Sequence, residues 1–378
     1  MNKILILSDW YCPGYKAGGP IRSLNNLVNA LEELIIIHII TSDTDLNSTQ
    51  PYKNIEPGKW LSIGNTKIIY LSKSDKTISR MKKLILEVNP DIIYLNSMYS
   101  LYFTLFPLIA LYFLKINKYK IILATRGMLQ QGAIQSKNKK KKIFIFFFKL
   151  FAIEKKILFH ATDEQEKKDI TGYFPLYKDI KVIGNFVSLP KMAERKIIKE
   201  SGSLSLVYIS VISSKKNLLY LPAVFNSING KIIFDVYGVV KDKKYWELFL
   251  EKIKNVQNVQ FNYYGDIPNH LVKTTLLNYD FFILPTLGEN FGHAIYEALS
   301  AGLPVIISDK TPWRNLENQK AGWGIALDST QKFIDTLNYC AVMNNEEYKN
   351  WSIGAFNYAN NYYKENNPAD DYLKMFSK

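Results

Sequence analysis

The chain has 378 residues, of which 47% are hydrophobic and 22% charged, and a formal net charge of +14. That length accommodates two domains of ordinary size, and that balance excludes a disordered or fibrous chain. Two cysteines, Cys12 and Cys340, exclude a disulfide scaffold and a cysteine-bound metal, so a reducing, cytoplasmic setting is expected.

The N-terminal MNKILILS lacks the apolar core and cleavage site of a signal peptide and reads instead as a strand, Ile4 to Ser8. A loop follows, with Pro13, Gly14, Gly18 and Gly19, and Pro20 suits the first turn of a helix expected over 21–34. Strand, glycine pair and helix start make a phosphate-sized site, although a lone Gly-Gly more often marks only a turn. Segments 35–41, 67–71 and 91–96 are further strand candidates separated by helical or loop stretches, which argues for a doubly wound sheet. The apolar run LYFTLFPLIALYFL at 101–114 is shorter than the ~20 residues of a membrane span, so a buried crossover helix is expected there. The next strand, 121–125, ends in Arg126-Gly127-Met128-Leu129. Arg126 is a candidate for holding a phosphate or an acceptor anion, or else a solvated loop residue.

Charge is unevenly spread. Residues 1–200 carry 31 Lys and Arg against 17 Asp and Glu, whereas the remaining 17 and 17 cancel. Within 137–148, KNKKKKIFIFFF, five lysines abut Phe and Ile. A charge run is usually a solvated face, but this one also suits a helix on an anionic membrane, where each Lys contributes about 1 kcal/mol. Peripheral attachment to the inner face of the cell membrane is the expectation. No nucleic acid is expected, because no zinc-finger, RRM or KH signature accompanies the basic run. HATDEQEKKDI at 160–170 starts a capped helix with Thr162 or Asp163 as N-cap. VIGNFV at 182–187 reads as a strand and turn before a linker at 188–203.

A second sheet begins at 206–210, and the strands 232–237 and 259–264 each leave on a glycine, Gly238 and Gly265. Trp323 and the aromatic-rich tail 351–378 read as helical. The chemistry concentrates in 280–313, DFFILPTLGENFGHAIYEALSAGLPVIISDKTPW. Phe281 to Pro285 is the continuous apolar run of a strand buried on both faces. Gly288 and Gly292 let a ligand approach the loop backbone, and 294–301 is a helix closed by Gly302 and Pro304. Ligands in open α/β sheets bind beyond the carboxyl ends of strands. Free N–H groups at the helix start beside Asn290, Phe291 and Gly292 suit a phosphate, and Glu289 and Glu297 can accept hydrogen bonds from a vicinal diol. Each glutamate alone is as well explained by the helix dipole, or by the i,i+4 spacing of His293 and Glu297. His38, His160, His270 and His293 lack metal-binding spacing. The one Asp-x-Asp, Asp43 to Asp45, follows an early strand, so no metal or cofactor is expected.

Taken together, the glutamates, the N-F-G between them and the E-A-L-S-A-G-L-P-V after them resemble the E-x7-E segment of the family-four retaining glycosyltransferases. The RGML string resembles a segment of polysaccharide-assembly members, at a strand end where many relatives place an active-site His. Gly18 and Gly19 resemble the first glycine-rich loop of that family. The resemblance implies an α/β protein of the GT-B fold, two Rossmann-like domains facing a cleft. Residues 1–187 would form the acceptor domain, 188–203 the linker and 204–357 the donor domain. The last helix, within 358–378, would cross back onto the first domain. It further implies transfer of a sugar from a nucleotide diphosphate to a glycan or lipid-linked hydroxyl with retention of configuration, in surface polysaccharide or lipopolysaccharide assembly.

By the same resemblance, Lys216, the amides of Asn290, Phe291 and Gly292, and the Gly18–Gly19 loop would hold the diphosphate, and Lys215, adjacent in sequence, is a further candidate cation. Glu289 would bind the donor sugar and Glu297 the ribose, with Gly238 and Ile267 flanking the nucleotide. No side chain is an obvious general base, and in retaining members the leaving phosphate is thought to take the acceptor proton. Family members commonly carry an Arg where this chain has Val211. That departure leaves open a non-catalytic sugar-nucleotide or glycan-binding relative, and a GT-B sugar-nucleotide 2-epimerase is a further alternative.

Overall fold

A computed structural model describes residues 2–113, 119–129, 144–146, 148–149, 153–177, 179–192 and 198–377. The chain divides into two compact units, Met1–Val187 with Asn367–Lys378, and Ser188–Asn366.

The first unit is built on an eight-stranded sheet of order β3-β4-β2-β1-β5-β6-β7-β8. Its strands are β1 (Lys3–Leu7), β2 (Ile36–Ser42), β3 (Trp60–Ile63), β4 (Thr66–Leu71), β5 (Ile92–Leu95), β6 (Lys120–Ala124), β7 (Leu158–Ala161) and β8 (Ile180–Val182). Every pairing is parallel except that of β3 with β4. In β1, Ile4 to Leu7 are fully buried, which explains an uninterrupted apolar run where one exposed face would give alternation. Helix α1 (Gly19–Leu31) buries Ile21, Leu24, Leu27, Val28 and Leu31, one stripe at helical spacing. Beyond the sheet's far side lie α2 (Ile78–Val88) and a helical rod made of a π-helical turn, Leu101–Leu105, running into α3 (Phe106–Phe113).

Three expectations change here. The 101–113 rod is a crossover between β5 and β6, but only one side of it is buried, because Leu101 and Tyr112 are 48% and 62% exposed. The strand expected at 182–187 is β8, which ends at Val182. Of the basic-aromatic segment, 137–143 and 147 lie outside the described residues. Ile145 and Phe148 are core side chains, with Phe148 packed on Phe159 and Phe174. The capped helix is α4 (Glu164–Tyr173), and Asp163 is the cap, accepting a 2.7 Å hydrogen bond from the Glu166 amide.

The second unit carries a six-stranded parallel sheet, β11-β10-β9-β12-β13-β14. The strands are β9 (Ser203–Ile209), β10 (Lys231–Tyr237), β11 (Val259–Tyr263), β12 (Phe281–Leu284), β13 (Val305–Ser308) and β14 (Gly322–Ile325). The helices are α5 (Leu221–Phe225), α6 (Lys243–Ile253), α7 (Asn269–Leu276), α8 (His293–Ser300), α9 (Thr330–Val342) and α10 (Asn345–Glu365). Trp323, expected in a helix, lies in β14. Gly322 makes that strand possible: a Cβ there would meet the Val305 carbonyl oxygen at 2.0 Å. Trp323 then stacks on Trp351 of α10 at 4.0 Å.

The tail divides later than expected. α10 keeps 358–365 in the second unit, and only α11 (Ala369–Met375) belongs to the first. There Tyr372 stacks on Phe186, and Phe376 meets Tyr94 edge-on. No helix among the described residues is long and apolar enough to cross a membrane.

Candidate functional site

In the second unit the loop between β12 and α8 leaves the carboxyl end of its strand and is held from both sides. The Leu287 amide donates to the Lys215 carbonyl (2.8 Å), and the Glu289 amide donates to that of Lys310 (3.0 Å). Thr286 Oγ1 donates to the carbonyls of Lys215 or Gly288 (3.2 Å each), and Ser308 Oγ donates to the Thr286 carbonyl (2.5 Å). Thr286 and Ser308 are fully buried, so these bonds are made away from water and fix the loop's shape. Two segments distant in sequence, 213–217 and 284–292, thereby become one surface.

On that surface Lys216 Nζ forms an ion pair with Glu289 Oε1, the two side chains being 20% and 11% exposed. Glu289 also lies against the start of α8, its Cγ 3.6 Å from where a Cβ on Gly292 would stand. Gly292 is the N-cap, with φ +79°, and no side chain caps the helix. The first amide of the loop and helix to bond back into the helix is that of Ile295, to the Gly292 carbonyl. An ammonium, a carboxylate and a helix N-terminus thus converge. Such a grouping binds an anionic group at the amides and cation, and hydroxyls at the carboxylate.

The Phe291 side chain is turned into the protein. It is 8% exposed, packs against Trp313, His293, Tyr296 and Tyr362, and its carbonyl accepts from Trp313 Nε1 at 2.7 Å. Its role is to seat the loop. Asn290 and Glu297 are half-buried, and Glu297 lies one turn into α8. Gly238 has a backbone reason to be glycine: a Cβ would stand 1.8 Å from the Ser210 carbonyl oxygen, and its amide donates to the Gly265 carbonyl at 2.7 Å. The exits of β9, β10 and β11 are bundled there. Val211 is half-buried at this bundle, and Ile267 is half-buried in the loop before α7.

Sequence reasoning missed the aromatic group on the same side of the sheet. Tyr237 and Tyr264 stack at 4.9 Å with 12° between their planes, and Tyr264 is 55% exposed. Tyr237 Oη meets Tyr279 Oη (2.9 Å), which donates to Asp235 Oδ2 (2.7 Å), while Asn262 Nδ2 donates to Asp235 Oδ1 (2.8 Å). The register of β10 with β11 sets Asp235 opposite Asn262, a pairing that no single-strand pattern reveals.

The first unit has its own glycine-led helix start. Gly18, φ +66°, is the N-cap of α1, with no side-chain cap and nothing within 4 Å of a Cβ built on it; Gly19 is the first helical residue. The loop before it is clamped by Asp45, whose carboxylate accepts from the amides of Tyr15 (2.8 Å) and Lys16 (3.1 Å). The second aspartate of the D-T-D therefore shapes the glycine loop.

Arg126 is spent elsewhere than expected. It sits at φ +50°, and its guanidinium donates to Asn96 Oδ1 (2.7 Å), Asn185 Oδ1 (2.8 Å) and Tyr94 Oη (2.9 Å). Tyr94 Oη in turn donates to His160 Nδ1 (2.8 Å), which leaves the His160 Nε2 proton for the Ile183 carbonyl (2.9 Å). Burial, and then the Arg126 charge, depress the His160 pKa, so the ring stays neutral. Beside it, the fully buried Glu166 carboxylate accepts from Thr125 Oγ1 and the Gly127 amide (2.5 Å each), and from the Thr162 amide and Oγ1 (2.7 Å each). Burial alone would raise this carboxyl, but the four donors outweigh it and hold it below its usual range. Arg126 is thus a structural keystone of the first unit, not a free cation awaiting a phosphate.

Residues 191–357 match the family described as Glycosyl transferases group 1. No curated protein matches the chain by sequence. Among solved structures, Anabaena HepE in complex with UDP and glucose is 14% identical, with a TM-score of 0.71 over 99% of this chain and 100% of that one. WaaG, a glycosyltransferase involved in lipopolysaccharide biosynthesis, is 12% identical, with a TM-score of 0.64 over 99% of each chain. A variant of S. aureus TarM solved with UDP is 14% identical, with a TM-score of 0.69 over the whole of both chains. At these identities the likeness speaks for the fold.

Proposed function

We propose, from the GT-B fold and the match of residues 191–357 to the family described as Glycosyl transferases group 1, that the chain moves a sugar from a nucleotide diphosphate to a hydroxyl with retained anomeric configuration. The reading rests on one observation above the others, the convergence of Lys216, Glu289 and the Gly292-led start of α8. In the reaction the bond from the anomeric carbon to the diphosphate oxygen breaks and a bond from that carbon to the acceptor oxygen forms. The acceptor proton leaves with the diphosphate. Negative charge grows on the leaving oxygen while the sugar becomes cationic, and donors fixed beforehand lower that barrier without reorganising.

Lys216 supplies the cation for the leaving group, and the 290–292 amides supply the dipole end. Glu289 orients Lys216 and accepts from a sugar hydroxyl, and Glu297 takes the ribose. Tyr264, with one ring face covered by Tyr237 and the residue half exposed, is the surface for the base. UDP is the first nucleotide to test, because HepE and TarM were solved with it. Surface polysaccharide or lipopolysaccharide is the proposed product class, with a lipid-linked glycan as acceptor.

Product analysis with a panel of nucleotide sugars tests the reading. Consumption of one donor, release of its diphosphate and a glycoside of unchanged configuration are expected. Isomerised sugar nucleotide would establish the epimerase alternative, and binding without turnover the non-catalytic one. With Lys216 as the cation, turnover should persist in excess EDTA. Loss that Mg²⁺ or Mn²⁺ restores would displace Lys216 from that role.

Val211 gives a second test. Because Arg126 is engaged by Asn96, Asn185 and Tyr94 within the first unit, our reading does not assign it the place of the arginine missing at 211. A charge-assisted hydrogen bond contributes ~1.5–3 kcal/mol, so Val211→Arg should tighten UDP binding at least about tenfold by calorimetry. Unchanged affinity would move the diphosphate away from the β9 exit.

A further inference from the structure

We propose that the pocket between the end of β13 and the edge strand β14 is a second sugar site, holding neutral residues of a glycan apart from the Lys216–Glu289 centre. The lining alone sets the ligand class. Only the use of the site, keeping an acceptor glycan on the enzyme between transfers, rests on the glycosyl-transfer reading.

The pocket has a volume of about 390 Å³ and is walled by Asp309, Arg314, Asn315, Glu317, Asn318 and Gly324. Small-molecule sites typically span about 300–1,000 Å³. The loop that forms its wall is held in place. Trp313, 3% exposed, donates from Nε1 to the Phe291 carbonyl (2.7 Å), and Tyr358 Oη of α10 donates to the Arg314 carbonyl (2.8 Å). The Ala321 amide donates to the Leu316 carbonyl (2.8 Å), closing a turn in which Asn315 takes φ +56°.

Gly324 points most directly to a ligand. It is exposed, lies in β14 outside the left-handed region of backbone space, and a Cβ built on it meets nothing within 4 Å. Neither conformation nor crowding demands a glycine there, unlike Gly322 two residues earlier, where a Cβ would meet the Val305 carbonyl. A strand glycine without such a reason marks a place where another molecule comes close to the backbone.

The lining offers hydrogen bonds of both kinds. Arg314 Nη1 is bound to the carbonyls of Thr311 and Trp313, which fixes the guanidinium and leaves Nε and Nη2 as donors. Asp309 Oδ2 pairs with Lys310 (3.0 Å), while its buried Oδ1 has no hydrogen-bond partner among the described residues. Buried polar atoms ordinarily have one. Glu317 meets Lys332 only at 3.8 Å, and Asn315 and Asn318, both exposed, each add donors and an acceptor. A sugar hydroxyl donates and accepts at once, so a polyol suits carboxylates, amides and guanidinium together. A phosphate or a uronate would face two carboxylates, and an apolar ligand would leave the polar groups unpaired.

Saturation-transfer NMR on the full chain tests this, with neutral trisaccharides of glucose, galactose and mannose, and with trigalacturonate. At least one neutral trisaccharide should bind with millimolar affinity, with or without saturating UDP, and trigalacturonate should not. Gly324→Leu, which fills the pocket, should weaken that binding by about tenfold or more, and Arg314→Gln by about fivefold. Both variants should keep the wild-type thermal shift with UDP, which shows them folded with the donor site intact. No binding of any neutral trisaccharide to the wild type would overturn the proposal, as would equal binding of trigalacturonate. So would binding that Gly324→Leu leaves unchanged, or that Glu289→Ala abolishes, since the sugar would then sit at the donor centre. None of these outcomes bears on sugar transfer itself, whose failure would show as absent turnover with trisaccharide binding intact.

Discussion

Replacing Lys216 with Ala should lower kcat by about 10²–10³ while leaving the fold intact, the loss expected when one preorganised donor to a developing negative charge is removed. Glu289→Ala should lower kcat comparably, because it removes the group that orients Lys216 and the acceptor for a sugar hydroxyl. The two losses should not add: the residues form one ion pair, and groups that act as a unit lose most of their effect when either goes. Glu297→Ala should act mainly on KM for the donor, since a ribose contact is the same in the ground and transition states. Steady-state kinetics on the four variants, including Lys216→Ala/Glu289→Ala, separates these cases. Additive losses would mean that the pair is not one device, and small equal effects would reduce the glutamates to surface residues of the loop and helix.

The second large effect is on stability. Glu166→Ala removes a buried carboxylate that accepts from Thr125 Oγ1, the Gly127 amide, and both the amide and Oγ1 of Thr162. Leaving those donors and the neighbouring Arg126 without it should cost about 3–5 kcal/mol, a fall in melting temperature on the order of 10 °C. The pH dependence follows from the two shifts in this cluster. The Glu166 carboxyl lies below its ordinary 4.5 in the folded state, so the stability it contributes is present above that value and fades as pH falls through the folded one. His160 lies below its ordinary 6.5, so the unfolded chain binds its proton first and stability falls as pH drops beneath 6.5. Both act in the same direction. Melting curves from pH 8 to pH 4 should decline first below about 6.5 and steepen near 4.5, and His160→Gln should flatten the first part. A curve level across this range would show that the cluster does not hold the first unit together.

Much of this could be read in the chain. Within β1, β12 and β13 the runs Ile4–Leu7, Phe281–Leu284 and Val305–Ile307 are unbroken and apolar because they are buried on both faces. The α8 segment is bounded by Gly292 and Gly302, whose backbone conformations few other residues tolerate. The resemblance placed Lys216 and Glu289 at one site but did not reveal their contact, since 73 residues separate the two. What stayed hidden depends on partners distant in sequence. Arg126 looked like a free loop cation because Asn96 and Asn185 reach it from other elements. Glu166 looked like a helix-start residue because its four donors come from 125, 127 and 162. Trp323 looked helical beside an aromatic tail, whereas the pairing of Gly322 with Val305 draws it into the sheet. The rod at 101–113 looked buried because an apolar sequence does not say which of its side chains stay exposed, as Leu101 and Tyr112 do.

Amide hydrogen exchange, measured with and without UDP, tests the central claim most directly. UDP seated between Lys216 and the start of α8 should slow exchange in peptides covering 211–217 and 286–297, with lesser protection at 263–268, and Lys216→Ala should abolish that pattern at the same UDP concentration. Protection confined to other segments, or none at a concentration that raises the melting temperature, would contradict the placement of the donor.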